Sequence, residues 1–259
     1  MLRLIRALER HRDRGRKREV SRTFMPPDRA DPIADDFGVL YALDEVRLPP
    51  GTSIPRHPRR DAELLTYVHE GALAYEDAQG RSGILQAGEF QRLTTGRQAR
   101  HREANASRVD WAHIFQMAVT PREAELSAGH EERRFSVGYR RGDLCVVASS
   151  DGRRGSLLLH QDTLIYSAIL APGQHLVHDL DGDRAAWMHV VAGEVTLGDL
   201  ILTTGDGAGI AGERAVSLTA DRESEILLLD VAMPGRPIKT METNGHLDGE
   251  VGRRTLAHE

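Results

Sequence analysis

Three turn-centred anchors occur twice in this 259-residue chain, in the same order and at similar spacing. Leu48-Pro49-Pro50-Gly51, with His57 downstream, matches Leu170-Ala171-Pro172-Gly173 with His178 downstream. Tyr67-Val68-His69-Glu70-Gly71-Ala72-Leu73 matches His189-Val190-Val191-Ala192-Gly193-Glu194-Val195, and Leu85-Gln86-Ala87-Gly88-Glu89 matches Leu202-Thr203-Thr204-Gly205-Asp206. One repeated Pro-Gly turn is a weak signal; three anchors in register indicate an internal duplication. Between them lie short apolar runs at 39–43, 64–68, 83–85 and 112–119, separated by Pro50-Gly51, Glu70-Gly71, Gln79-Gly80 and Ala87-Gly88. Turn signals at that spacing predict strands of a sandwich or barrel, not βαβ units. The expected fold is all-β, with two β-barrels in tandem.

Residues 121–142 interrupt the pattern with a polar, charged stretch poor in strand signals, as expected of a connector. The expected division is an N-terminal domain over 1–135, a C-terminal domain over 136–236 and a polar, loosely held tail over 237–259. Leu4, Ile5 and Leu8 fit either a short amphipathic helix or an opening strand, and Gly15 ends either one.

Composition narrows the function. A net charge of −5 gives no general reason to expect nucleic-acid binding. The exception is the basic run Arg3, Arg6, Arg10, Arg12, Arg14, Arg16, Lys17 and Arg18, set against Glu9 and Asp13. Such a run can hold phosphates, yet it lacks aromatics for base stacking and reads first as a solvated surface. No apolar run reaches the length of a membrane span, and the charged start lacks the features of a signal peptide, so a cytoplasmic protein is expected. Cys145 is the only cysteine, which excludes an internal disulfide or a cysteine-rich zinc site. Within Leu144-Cys145-Val146-Val147 it reads as a buried, inert thiol.

Chemistry concentrates between His57 and Asn105. Positions 57 and 59, and again His101 and Glu103, lie two apart on strand-like stretches, so each pair can face one barrel interior. Converging imidazoles and a carboxylate suit iron, nickel, zinc or copper. Arg59 stands where a second histidine would complete the first pair. Glu63, of the same parity as His57, is a reserve candidate with a supporting role expected. Asn105 is expected to fix a turn. The remaining histidines take bland assignments: His69 at a turn, His113 packed in an apolar strand, and His175, His178 and His189 in the repeat without acidic ligands. His130, His246 and His258 are expected to be exposed.

The segment His57-Pro58-Arg59-Arg60 through Thr66-Tyr67-Val68 to Gly71 resembles the pirin family of bicupins, which includes quercetin 2,3-dioxygenase-type bacterial members. Gly88-Glu89-Phe90-Gln91-Arg92, Trp111-Ala112-His113-Ile114-Phe115-Gln116 and Leu159-His160-Gln161-Asp162 extend the resemblance over most of the chain, from about Arg3 to Ala232. It implies two tandem cupin (double-stranded β-helix) barrels, with a metal, usually iron, in the N-terminal one only. The family's three histidines and one glutamate fall on His57, Arg59, His101 and Glu103, so His57, His101 and Glu103 are the expected metal ligands. The C-terminal repeat, with no later His-x-Glu pair, is expected to be structural.

Three functions compete. The resemblance implies a metal-dependent flavonol (quercetin) dioxygenase holding Fe(II) or another divalent ion, with Glu103 accepting a substrate proton. Arg59 opposes it. A guanidinium ~5 Å from a divalent ion repels it by roughly 6–7 kcal/mol at an effective dielectric of ~20. That corresponds to about five decades of affinity. The alternative is a metal-free module in which Arg59 replaces the ion, pairs with Glu103 and holds a small aromatic or anionic ligand. A protein-interaction role follows only by analogy with other pirins.

Overall fold

The computed structural model describes residues 2–15, 18–24, 37, 39–54, 61–77, 79–96 and 101–233. The opening residues form strands, not a helix: β1 (Leu2–Ile5), β2 (His11–Gly15) and β3 (Arg18–Arg22). Then follow β4 (Leu40–Leu48), β5 (Ser53–Ile54), β6 (Glu63–Glu70), β7 (Ala72–Glu76), β8 (Ser82–Gln86) and β9 (Glu89–Thr94). The first half closes with β10 (Arg102–Asn105), β11 (Ala112–Val119) and β12 (Gly129–Arg134). A single helical turn, α1 (Val137–Arg140), leads to β13 (Cys145–Ser149), β14 (Leu157–Leu158), β15 (Thr163–Leu170), β16 (His175–Asp179) and β17 (Arg184–Ala192). The last strands are β18 (Glu194–Leu197), β19 (Leu200–Thr203), β20 (Gly207–Ala211), β21 (Ala215–Ala220) and β22 (Ser224–Ala232). No helix among the described residues is long and apolar enough to cross a membrane.

The sheet order makes the duplication visible. The first half pairs a seven-stranded sheet, β12-β9-β6-β11-β4-β3-β2, with a four-stranded one, β5-β10-β7-β8. The second repeats the plan with β1-β20-β17-β22-β15-β13-β14 and β16-β21-β18-β19. The six anchor glycines occupy equivalent turns, and all have positive φ, from 64° at Gly51 to 95° at Gly193. At Gly71 and Gly193 the chain also passes too close for a side chain. A Cβ there would strike the carbonyl of Trp111 or of Glu223, which precede the equivalent strands β11 and β22.

Two expectations need correction. The connector is not devoid of strand, because β12 pairs along its length with β9 and widens the first sheet. Residues 2–5 do not belong with the first half: β1 pairs with β20 of the second, Leu2 opposite Ile210. The two edge positions are equivalent, β12 beside β9 and β1 beside β20. For the other strands, division near residue 135 is kept as a working proposal. Residues 237–259 lie outside the described residues.

Alternation explains why the central strands carry almost no polar face. Every residue of β11 is buried. Ile114 packs inside the first barrel, whereas Phe115, Met117 and Val119 join a core shared with Trp187, Leu227 and Leu229 of the second half. The large sheets therefore pack back to back, and their strands read as apolar runs because both faces are covered. Polar groups stitch this shared layer. Buried Arg140 donates to Glu225 Oε1 at 2.7 Å and to Tyr67 Oη at 3.0 Å, and Tyr67 also bonds to Glu225. Burial, with the charge of Glu225, pushes the Tyr67 phenol above its ordinary range. Burial also works against the Glu225 charge, but His69, Arg140 and Tyr67 hold its carboxyl low.

Three histidines given bland assignments meet in this layer. His69 stacks edge-on against His113 at 5.1 Å, and His113 lies 2.9 Å from Glu45 Oε1. His189 packs against Phe115, fully buried, with neither ring nitrogen bonded among the described residues. Burial pushes its pKa down from 6.5 to about 3, and Arg10 acts in the same direction. His130 is not exposed as expected; its side chain is mostly covered and lies 3.1 Å from Gln91. Cys145 is half-buried, and burial pushes its thiol up. His246 and His258 fall outside the described residues.

Two outcomes follow. Gly71→Ala and Gly193→Ala should each cost at least ~2 kcal/mol in urea denaturation, combining a left-handed backbone with a backbone clash. Gly80→Ala, with positive φ and open space, should cost about half as much. In the unfolded chain the His189 imidazole takes up a proton below pH 6.5, but in the folded protein not until about pH 3. Stability should therefore fall with pH through that window, and His189→Leu should remove about 1–4 kcal/mol of the fall, read from denaturation at several pH values.

Candidate metal centre

The expected ligands divide between described and undescribed residues. His57 and Arg59 lie outside the described residues. His101 and Glu103 do come together, at the edge of β10, and line one small pocket with Val46, Ile54, Leu64 and Gln116. Strand β10 pairs with β5 and β7, placing Glu103 opposite Ile54 on one side and Tyr75 on the other. The carboxylate is 4% exposed. Gln116 on β11 reaches across the barrel and donates its amide to both oxygens, at 3.0 and 2.9 Å. His101 Nε2 stands 3.9 Å from Glu103 Oε2, and its buried Nδ1 has no hydrogen-bond partner among the described residues.

This donor set can take a cation. Glu103 is buried with one neutral amide and one imidazole as its described partners, and an unbalanced buried carboxylate is costly. Among the described residues there is no group of three or more metal-binding side chains, so His101 and Glu103 supply only two donors. The pocket, about 20 Å³, has room for an ion or a single water. Arg18, Arg22 and Asp44 also border it.

The second barrel shows the same frame without the chemistry. Pairing registers put Val216 and Leu218 of β21 where β10 has His101 and Glu103. Strand β22 has Leu228 where β11 has Gln116, and β17 has Met188 where β6 has Thr66. All four belong to that barrel's apolar core. His178 is held by Asp230 at 2.8 Å and has no acidic neighbour on β21.

Glu63, the reserve candidate, faces away from the pocket. Its parity on β6 is opposite to that of Leu64 and Thr66, and its buried carboxylate accepts from the backbone N–H of His160 at 2.7 Å. The His160 ring lies 2.8 Å from its other oxygen. The Leu159-His160-Gln161-Asp162 motif is thus a clasp between halves, with Gln161 also donating to the Thr120 carbonyl. Asn105 fixes a turn, donating to the carbonyls of Leu48, Pro49 and Asp110 and accepting from Ser107 N–H. Gln116 was missed. Its signal was the one polar residue among the inward positions Ala112, Ile114, Gln116 and Ala118 of β11.

Residues 6–119 match the family model described as pirin, and residues 146–231 the quercetinase C-terminal cupin domain. An Escherichia coli protein named quercetin 2,3-dioxygenase is 35% identical over 209 residues, covering 81% of this chain and 89% of that protein. The chain belongs to the pirin family. A pirin-like protein of Caulobacter vibrioides is 30% identical, covering 78% of this pirin and 87% of its own length. The solved structure of the Escherichia coli pirin YhhW in complex with nickel(II) is 34% identical, with a TM-score of 0.83 over 90% of this chain and 99% of that one. A second YhhW structure gives 33% and 0.84. This pirin is a bicupin.

The internal comparison supplies a test. Gln116→Leu copies Leu228 and leaves Glu103 without its amide donor, and should cost about 1–3 kcal/mol at neutral pH. Glu103→Leu combined with Gln116→Leu should recover most of that loss, because the buried pair is then replaced by apolar groups. Urea denaturation of the three variants reads the cycle.

Proposed function

We propose that this pirin is a quercetin 2,3-dioxygenase-type bicupin whose single metal site, built on His57, His101 and Glu103, is compromised by Arg59. What carries the reading is the buried Glu103 carboxylate, set beside His101 and oriented by Gln116 in the first barrel alone. The names of the relatives point to a flavonol as the aromatic substrate. His57 would complete the set to two imidazoles and one carboxylate, which suits Fe(II) or another divalent ion with open positions. Bound there, the ion would supply Lewis acidity and a template for the substrate's oxygens.

The chain's own groups have distinct tasks. Glu103 accepts the proton of an aromatic hydroxyl. Gln116, donating to both carboxylate oxygens, fixes the plane of that base. Ile54, Leu64 and Val46 offer apolar walls to a ring, while Arg18 and Arg22 at the border favour a phenolate or other anion.

A second reading has its own support: a metal-free module in which Arg59 replaces the ion beside Glu103. The narrow pocket suits one ion or one charged group better than a flavonol. Metal content distinguishes the two. Protein purified without chelators or a metal-binding tag should carry divalent metal well below one per chain. Arg59→His should raise occupancy at least tenfold, given the estimated repulsion and the restored imidazole. Flavonol cleavage should appear only in that variant. Stoichiometric, tightly held iron in the unmodified protein would overturn the compromised site and favour the enzyme.

A further inference from the structure

The basic run near the N-terminus is more organised than a solvated surface. Strands β2, β3 and β4 pair so that two rows of side chains cross one face: Arg12, Ser21 and Glu45 in one, Arg14, Glu19 and Arg47 in the next. Opposite stand Ala7, Thr204 and Gly205, the last two in the β19–β20 turn of the second half. Between them lies a cleft of about 220 Å³. The segment joining β1 to β2 is anchored to that turn, since Asp206 accepts from Arg6 Nη1 at 2.9 Å and Ala7 N–H at 2.7 Å. Ala7 packs so closely on Gly205 that a Cβ there would lie 2.9 Å from the alanine methyl.

Arg10 lines the same cleft with its side chain 2% exposed. It donates to Glu45 Oε2 at 2.6 Å and to the Ser21 carbonyl at 2.7 Å, which accounts for the Glu45 charge. Its Nε is buried and has no partner among the described residues. Three further guanidiniums remain against one carboxylate, Glu19. Arg12 uses one Nη on the Ala7 carbonyl, and Arg47 stands no closer than 3.7 Å to Glu45. The protein as a whole is negative, so this excess of positive charge is local.

We propose that this cleft binds a small phosphorylated anion of about pyrophosphate size, between the N-terminal hairpin and the second half. Guanidinium forks from two adjacent rows suit adjacent phosphoryl groups, each taken by paired N–H donors. The volume is below the usual range for drug-sized ligands, so the cleft selects compact charge over a large ring system. Because its walls come from both halves, an occupant would cross-link them, and binding would stabilise the fold by mass action.

Calorimetric titration of the full chain with pyrophosphate, ADP and citrate, with melting curves alongside, tests this. Saturable one-to-one binding of pyrophosphate is expected, weakening as sodium chloride rises, with a higher melting temperature. ADP binding as well as pyrophosphate would identify a nucleotide's phosphates as the source; pyrophosphate alone would identify the free anion. Arg12→Ser with Arg14→Ser should cut affinity at least tenfold, while Arg153→Ser, at an exposed turn before β14 on the opposite edge of the sheet from β1, should leave it unchanged. A circular dichroism spectrum matching the parent establishes that the double variant is folded, and Arg47→Ser gives a second reading from another strand. No saturable binding in the millimolar range, equal binding of citrate, or equal loss with Arg153→Ser would overturn the proposal.

Discussion

The large sheets of this protein are covered on both faces, and most of its architecture depends on that double burial. On β11 and β22 alternate residues serve different neighbours, one set filling a barrel and the other meeting the opposite half. Neither half can therefore expose its large sheet without leaving Phe90, Phe115, Trp187 and their neighbours in water. The ionic groups in the shared layer need the same enclosure. Arg140 and Glu225 are worth keeping only as a complete network, because either alone would be an uncompensated buried charge.

That constraint also decides what the sequence reveals. Gly71 and Gly193 were legible because a left-handed turn under a crossing strand tolerates little else, and their equivalence helped to carry the duplication. The apolar strand 112–119 was legible because both its faces are covered. What failed was local inference about long-range partners. The pairing of β1 with β20 depends on Asp206 and on the complementary edge of a strand far along the chain. Glu63 and His160 each looked like site residues or bystanders, and only their meeting across the two halves shows a clasp. At the site, His101 and Glu103 were marked by two-residue spacing, but Gln116 comes from a different sheet, and alternation along one strand cannot show which carboxylate it meets.

The two barrels together form an internal comparison. One frame holds His101, Glu103, Gln116 and Thr66 inward, and its counterpart holds Val216, Leu218, Leu228 and Met188. Polar groups at such positions are tolerated only where each has a partner, whereas aliphatic groups need only fit. The second barrel thus has the larger apolar core, while the first keeps a short polar seam in otherwise apolar walls.

The crossing of β1 into the second half has a kinetic meaning. Leu2 is synthesised about two hundred residues before its partner Ile210. Until then the strand has no edge to join, and the nascent first barrel carries an unsatisfied ribbon at its start. Contacts of such long sequence separation form late, after costly loop closure. The finished molecule is in effect sealed by a strand made long before its partner. A chain lacking those few residues would present the β20 edge as a template for a neighbouring molecule, so the fold's protection against self-association depends on its first strand.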